Sequence, residues 1–288
     1  MSKILIISFF LGNSICAFAQ LQLDTLRHIY EQNTLLLTSK GVMENGVIQQ
    51  KKPFGKDPLL SRLKTEPVAY KTFNKGFKQV FGGIGLSMGG VVLVGIAPVS
   101  FRFSENDGQK AISVGFGVVG AGLIALGVRK GNKASANMTR GVWAYNRAAI
   151  LRGLPDSTYR QQAADWYDQK TVLLSGTGFV QNGIWQKRGF ADAPLKEVFK
   201  SNTLALSNLE KSYQLKKRGT VLAWLGNAVE FAGLAQIFAA KNRTDLRTGW
   251  GVLLSVYLFS TFVGQPMLVQ SSDHLNRAVW FYNRDSMF

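Results

Sequence analysis

Residues Val80 to Phe101 read VFGGIGLSMGGVVLVGIAPVSF, and Ala111 to Val128 read AISVGFGVVGAGLIALGV; neither stretch holds a charged side chain. A helix needs about 17–25 mainly apolar residues to cross the hydrocarbon layer of a bilayer, and both stretches reach that length. The polar link Arg102 to Lys110 is short, so the two runs predict a transmembrane helical hairpin. A second pair follows at about 219–240, with one charge, and 248–270, joined by the polar stretch Lys241 to Arg247.

Composition agrees with lipid as solvent. Hydrophobic residues make up 46% of the chain and charged ones 18%, below the roughly 25% of an ordinary soluble domain. The formal net charge is +17, which on a soluble protein would suggest nucleic acid. Here the basic residues flank the apolar runs and no nucleic-acid motif accompanies them, so anionic lipid head groups are the expected partner and nucleic acid is not.

The beginning of the chain reads as a secretory signal peptide over residues 1–19: Lys3, the apolar run Ile4 to Leu11, and the small-x-small site Ala17-Phe18-Ala19 before Gln20. The single cysteine, Cys16, would leave with it, so no disulfide or Cys-based metal site is expected.

Beyond the signal the chain matches itself. Tyr30-x-Gln32-x-Thr34-x-Leu36 recurs as Tyr167-x-Gln169-x-Thr171-x-Leu173, and Trp143-x-Tyr145-Asn146-Arg147 recurs as Trp280-x-Tyr282-Asn283-Arg284, both at a spacing of 137. Ala69 and Lys75 align better with Ala205 and Lys211, which implies small compensating insertions mid-repeat. The pattern predicts two tandem repeats, 20–153 and 154–288. In each, Asn-Gly at 45–46 or 182–183 sits between short apolar runs and predicts a hairpin with a two-residue turn. A charged helical stretch, about 58–78 or 194–217, precedes each pair of spans.

The expected fold is therefore a mainly α membrane protein with four spans, each repeat adding a small α+β extramembrane part to a transmembrane hairpin. An even number of spans per repeat inserts both copies the same way up, related by a pseudo-twofold axis along the membrane normal. Export places the extramembrane parts in the periplasm, although the positive-inside rule favours the opposite orientation; long loops translocate largely regardless of charge. The inner membrane is expected rather than the outer, because a β-barrel needs at least about eight strands with polar residues alternating toward a lumen.

Three groups of residues are candidates for function. Gly85-x-x-x-Gly89, with Gly90, Gly117 and Gly120, lets helix backbones approach closely, either to join a second copy or an envelope protein partner, or to pack the helices of one chain. Glu230, with Asn227 a turn before it, is the one carboxylate inside an apolar run and a candidate intramembrane proton or ion site. Trp143, Tyr145 and Arg147, with Trp280, Tyr282 and Arg284, have the chemistry of an interfacial anchor, or of a ligand site. His28 and His274 stand at opposite ends of the chain without carboxylate clusters at metal-ligand spacing, and no hydrolase, phosphate-loop or metalloprotease motif occurs. Neither a metal, a cofactor nor an enzymatic activity is expected.

Ala17-Phe18-Ala19-Gln20, Leu60 to Ala69 with Pro67-Val68-Ala69, the glycine-rich stretch Val80 to Val128, and Tyr145-Asn146 together resemble a broad group of uncharacterised exported bacterial membrane proteins, here tandemly duplicated. The second copy departs from that pattern, with Thr203-Leu204-Ala205 in place of the proline step and most glycines lost. The resemblance implies architecture and no activity. The reading closes on a structural or assembly protein of the bacterial cell envelope; the alternative is a small proton- or ion-coupled transporter using Glu230.

Overall fold

Two three-stranded antiparallel meanders carry the β content. β1 (Leu36–Thr38), β2 (Gly41–Glu44) and β3 (Val47–Gln50) pair in that order, with Leu36 opposite Met43 and Glu44 opposite Val47. β4 (Val172–Ser175), β5 (Gly178–Gln181) and β6 (Ile184–Lys187) keep the same register, Leu173 opposite Val180 and Gln181 opposite Ile184. Asn182 and Gly183 join β5 to β6 with φ values of 52° and 71°, the paired positive angles that a type I′ turn demands. The leading strand of each sheet was not foreseen, since such short apolar runs do not distinguish strand from helix end.

This computed structural model describes residues 27–38, 41–44, 47–50, 58–154, 157–240 and 242–286. The expected signal peptide and the Asn45-Gly46 turn lie outside them.

The chain is mainly helical, 81% of the described residues. In chain order the helices are α1 (27–33), α2 (Pro58–Leu63), α3 (Pro67–Arg102), α4 (Asp107–Arg152), α5 (Ser157–Lys170), α6 (Ala193–Val198), α7 (Thr203–Ala239), α8 (Arg243–Phe259) and α9 (Gln265–Ser286). Pro67 separates α2 from α3: the residue before a proline avoids helical angles, and Glu66 sits extended at φ −126°. Past that break no signal stops the helix, so the charged stretch and the first apolar run form one rod. α3 and α4 are both long and apolar enough to cross a bilayer.

Their pairing follows a period of seven. Ala69, Gly76, Gly83 and Gly90 are buried on α3; Ser113, Gly120, Gly127, Ala134 and Gly141 are buried on α4. The helices run antiparallel, with Gly76 opposite Ala134, Gly83 opposite Gly127, Gly90 opposite Gly120 and Ala69 opposite Gly141. Without side chains between them the backbones meet directly, and that close approach holds helices together where hydrophobic drive is absent. Asn106 caps α4 at the tip by accepting from the Gln109 amide at 2.9 Å, and Ser113 bridges to Ser100 at 2.8 Å.

On α7 the small residues Ala205, Ser212, Gly219, Gly226 and Gly233 again fall every seventh position. Ser212 and Ser271 exchange hydroxyl-to-carbonyl bonds of 2.7 and 2.8 Å, and Gly249 packs against the Gly233 carbonyl. Between those two levels the α8–α9 side contains one residue more than α7. The π-helical turn Ser260–Gly264 lies there and takes up the extra residue, since its i→i+5 bonds enclose one more than an α turn.

Away from the apolar segments, three apolar clusters form the core. One joins β1–β2, α2, α3 and α4 around Leu35, Leu63, Phe73 and Tyr145; a second joins β4–β5, α6, α7 and α9 around Phe179, Leu195, Phe199 and Leu209. The third lies between them and contains Tyr30, Leu36, Ile150, Tyr167 and Trp280.

Candidate functional site

α4 contains 46 residues, so at 1.5 Å per residue it is roughly 70 Å long, more than twice the about 30 Å hydrocarbon layer. Trp143 therefore lies roughly 20 Å past Val128, the end of the charge-free run of α4, where it is partly buried beside the third apolar cluster. At that distance the Trp-x-Tyr-Asn-Arg blocks meet partners within the protein. Tyr145 is 6% exposed and Trp280 8%, so neither ring is presented to lipid. Tyr282 stacks on Phe199 at 4.8 Å and accepts a hydrogen bond from Gln181 Nε2.

The blocks instead clamp the sheets. Asn146 Oδ1 accepts from the Leu35 amide at 2.8 Å, and its Nδ2 donates to the Leu35 carbonyl at 3.0 Å. Asn283 does the same to Val172 at 2.7 and 2.9 Å. Both asparagines are buried, so each satisfies two backbone groups that would otherwise be orphaned.

The remaining members of the blocks reach across. Trp143 Nε1 donates to Thr171 Oγ1 at 3.1 Å, and Trp280 Nε1 donates to Thr34 Oγ1 at 3.0 Å. Trp143 lies against Tyr167 and Trp280 against Tyr30, with ring centroids 5.0 and 5.4 Å apart. Arg147 makes a bidentate pair with Asp168, and Arg284 Nη1 reaches Glu31 at 2.7 Å. The Asp168 hydrogen bond holds the Arg147 guanidinium further toward its charged form. Burial pushes the Tyr30 and Tyr167 phenols far above their ordinary value, so both stay neutral at physiological pH, and Tyr167 donates to the Trp143 carbonyl at 3.2 Å.

Two adjoining cavities open where these elements meet. The inner one, about 60 Å³, is mostly apolar, and each residue lining it has a counterpart 137 positions away that also lines it, such as Tyr30 and Tyr167 or Trp143 and Trp280. The outer one, about 260 Å³, lies toward the apolar segments and has a mixed lining, with Leu37, Met138 and Leu275 beside Ser135 and Thr139 of α4, Ser272 and Asn276 of α9, and Arg188 just after β6. Sequence reasoning passed over these polar residues because they are separated by up to half the chain.

The glycines divide. Gly90 and Gly120 lie in the α3–α4 seam, a side chain at Gly117 would meet Ala97 at 3.6 Å, and among the described residues Gly85 and Gly89 have nothing within 4 Å of where a side chain would begin. The side chains of Asn227 and Glu230 lie outside those described, although both residues belong to α7. His28 contacts Gln32 and His274 contacts Asn208; among the described residues no group of His, Cys, Asp and Glu could hold a metal.

Comparison with family models, with curated proteins and with solved structures finds no match.

Proposed function

We propose that this chain is a non-enzymatic integral membrane protein of the bacterial cell envelope with a structural or assembly role. In this reading two tandem copies insert side by side with four spans, at about 80–101, 111–128, 219–240 and 248–270, and the extramembrane parts lie on the periplasmic face of the inner membrane.

The observation that carries the reading is an inverted surface. Along α3 and α4 the buried seam is glycine, alanine and serine, while Phe81, Met88, Val91, Val118 and Val119 are more than half exposed. Water disfavours contiguous apolar patches beyond a few hundred Å², whereas lipid accepts them. Trp224, Leu225, Leu254 and Phe262 extend the same exposure to the second pair, Trp224 to 72% and Phe262 to 73%. Duplication is supported by the two asparagine clamps and the reciprocal Trp–Thr bonds, which recur at one spacing.

Gly85 and Gly89 support assembly, because among the described residues nothing packs on their bare faces. After alkaline carbonate extraction and flotation the full chain is expected to remain with the membranes; recovery in the soluble fraction would refute the reading. Crosslinking in membranes should capture an oligomer that Gly85→Ile/Gly89→Ile weakens. A strict monomer unchanged by those replacements would remove the assembly role.

A further inference from the structure

We infer that the outer cavity is a phosphate site, filled either by the head group of a phospholipid or by a soluble phosphate ester. The lipid form of this inference rests on the membrane reading above; the soluble form does not.

Position is the first argument. Val80 and Gly131 line one wall of the cavity. Val80 begins the charge-free stretch of α3 and Arg129 ends that of α4, so the cavity lies at the height where head groups would meet the protein. Lys78, Arg129, Lys130 and Lys133 flank these stretches, and Lys216, Lys217 and Arg218 precede the apolar part of α7. Such clusters concentrate anionic lipid at a bilayer surface.

Chemistry is the second. The cavity offers the hydroxyls of Ser135 and Ser272, the guanidinium of Arg188, and the second amide hydrogen of Asn276, whose Nδ2 also donates to the Leu37 carbonyl at 3.3 Å; the Thr139 hydroxyl is engaged with the Ser135 carbonyl at 3.0 Å. Ser135 and Ser272 make no side-chain hydrogen bond among the described residues, and they occupy equivalent positions across the axis between the two halves. Arg188 is only 16% exposed yet weakly engaged: its buried Nε has no hydrogen-bond partner, the Asp192 carboxylate stands 3.6 Å away, and Nη2 reaches the Gly176 carbonyl at 3.5 Å. A guanidinium offers five N–H donors in a planar fork that suits phosphate oxygens. Burying it with donors unmet is costly unless a ligand meets them.

Capacity is the third. About 260 Å³ lies just under the roughly 300–1,000 Å³ of typical small-molecule sites, which suits a head group whose tails remain outside. Asp192 balances the charge of Arg188 in the empty cavity, so the site recruits phosphate through directed donors more than through net charge.

The test uses the full chain in mild detergent, with binding read by native mass spectrometry and by thermal shift. The probes are dioleoylphosphatidylglycerol, dioleoylglycerol with the same tails but no phosphate, and glycerol phosphate. The variants are Arg188→Gln/Asp192→Asn, which removes both charges and leaves no unpaired carboxylate, and Ser135→Ala/Ser272→Ala. Dioleoylphosphatidylglycerol should bind at one site and dioleoylglycerol should not. The Arg188 variant should weaken binding at least about tenfold, as loss of charge-assisted bonds does, and the serine variant by less. Glycerol phosphate binding with the same Arg188 dependence would assign the site to soluble esters; its failure alongside phosphatidylglycerol binding would assign the site to lipid. Equal binding of the two lipids, or undiminished affinity in a folded Arg188 variant, would overturn the inference. Carbonate extraction of that variant tests the membrane reading separately, since it should stay with the membranes whether or not the site exists.

Discussion

Replacing Gly90 with alanine separates the seam from the outward face of α3 more sharply than any other single change. A methyl group there would lie 2.5 Å from the Gly120 carbonyl oxygen, 2.7 Å from Ile124 Cγ1 and 2.9 Å from the Ile124 amide nitrogen, all closer than real contacts allow. Two of those three atoms are backbone and cannot rotate aside, so the helices must part and loosen the Gly83 and Gly76 contacts below. Overpacking of this kind costs about 3 kcal/mol, and the better helix propensity of alanine returns about 1, leaving a net loss of about 2 kcal/mol. At neighbouring Gly89 the methyl meets nothing within 4 Å, so only the gain of about 1 kcal/mol remains. The two variants should therefore differ by about 3 kcal/mol, roughly two orders of magnitude in the unfolding equilibrium. Titrating a denaturing detergent into mild-detergent micelles, with tryptophan fluorescence as the probe, measures that difference in the monomer. Midpoints that agree within about 0.5 kcal/mol, the scatter of neutral surface substitutions, would mean that Gly90 does not lie in a close-packed seam.

Removing an asparagine clamp with a side chain of similar volume, Asn146→Leu or Asn283→Leu, orphans one amide and one carbonyl; each variant should lose roughly 2–5 kcal/mol in the same titration, and a loss below about 1 would show that water replaces the clamp. Stability should also fall in alkali. Tyr30 and Tyr167 hold their protons in the folded state where the unfolded chain gives them up, so their contribution is complete below pH about 10 and is withdrawn above it, by up to about 1.4 kcal/mol per pH unit for each phenol. Unfolding measured across that range should steepen in the native chain and flatten in Tyr30→Phe/Tyr167→Phe; equal slopes would show that these phenols do not titrate with unfolding.

Local chemistry was legible wherever neighbours in the chain decide the outcome. The apolar runs at 80–101 and 111–128 predicted long helices, and the Asn182-Gly183 pair predicted its turn, because backbone angles and bilayer-length apolarity are properties of short stretches. The period of seven in Ala69, Gly76, Gly83 and Gly90 is equally present in the sequence, overlaid by the four-residue spacing of Gly85 and Gly89. That nearer spacing turns outward, away from the partner helix.

What the chain could not disclose by itself was which surface each repeated block would meet. Trp143 and Trp280 suit a lipid interface by composition, and only the docking of the elements shows their indole N–H groups bonded to Thr171 and Thr34. Likewise Arg188 lines the same cavity as Ser135 and Ser272 only because α4 docks on β4 and α9 on β1 and β4, which sets residues far apart in the chain around one space. Propensity and hydropathy act over a few residues, so sequence alone determined the helical hairpin and the turn. Hydrogen-bond partnership needs two groups within about 3 Å in space, and that distance is set only when the elements dock.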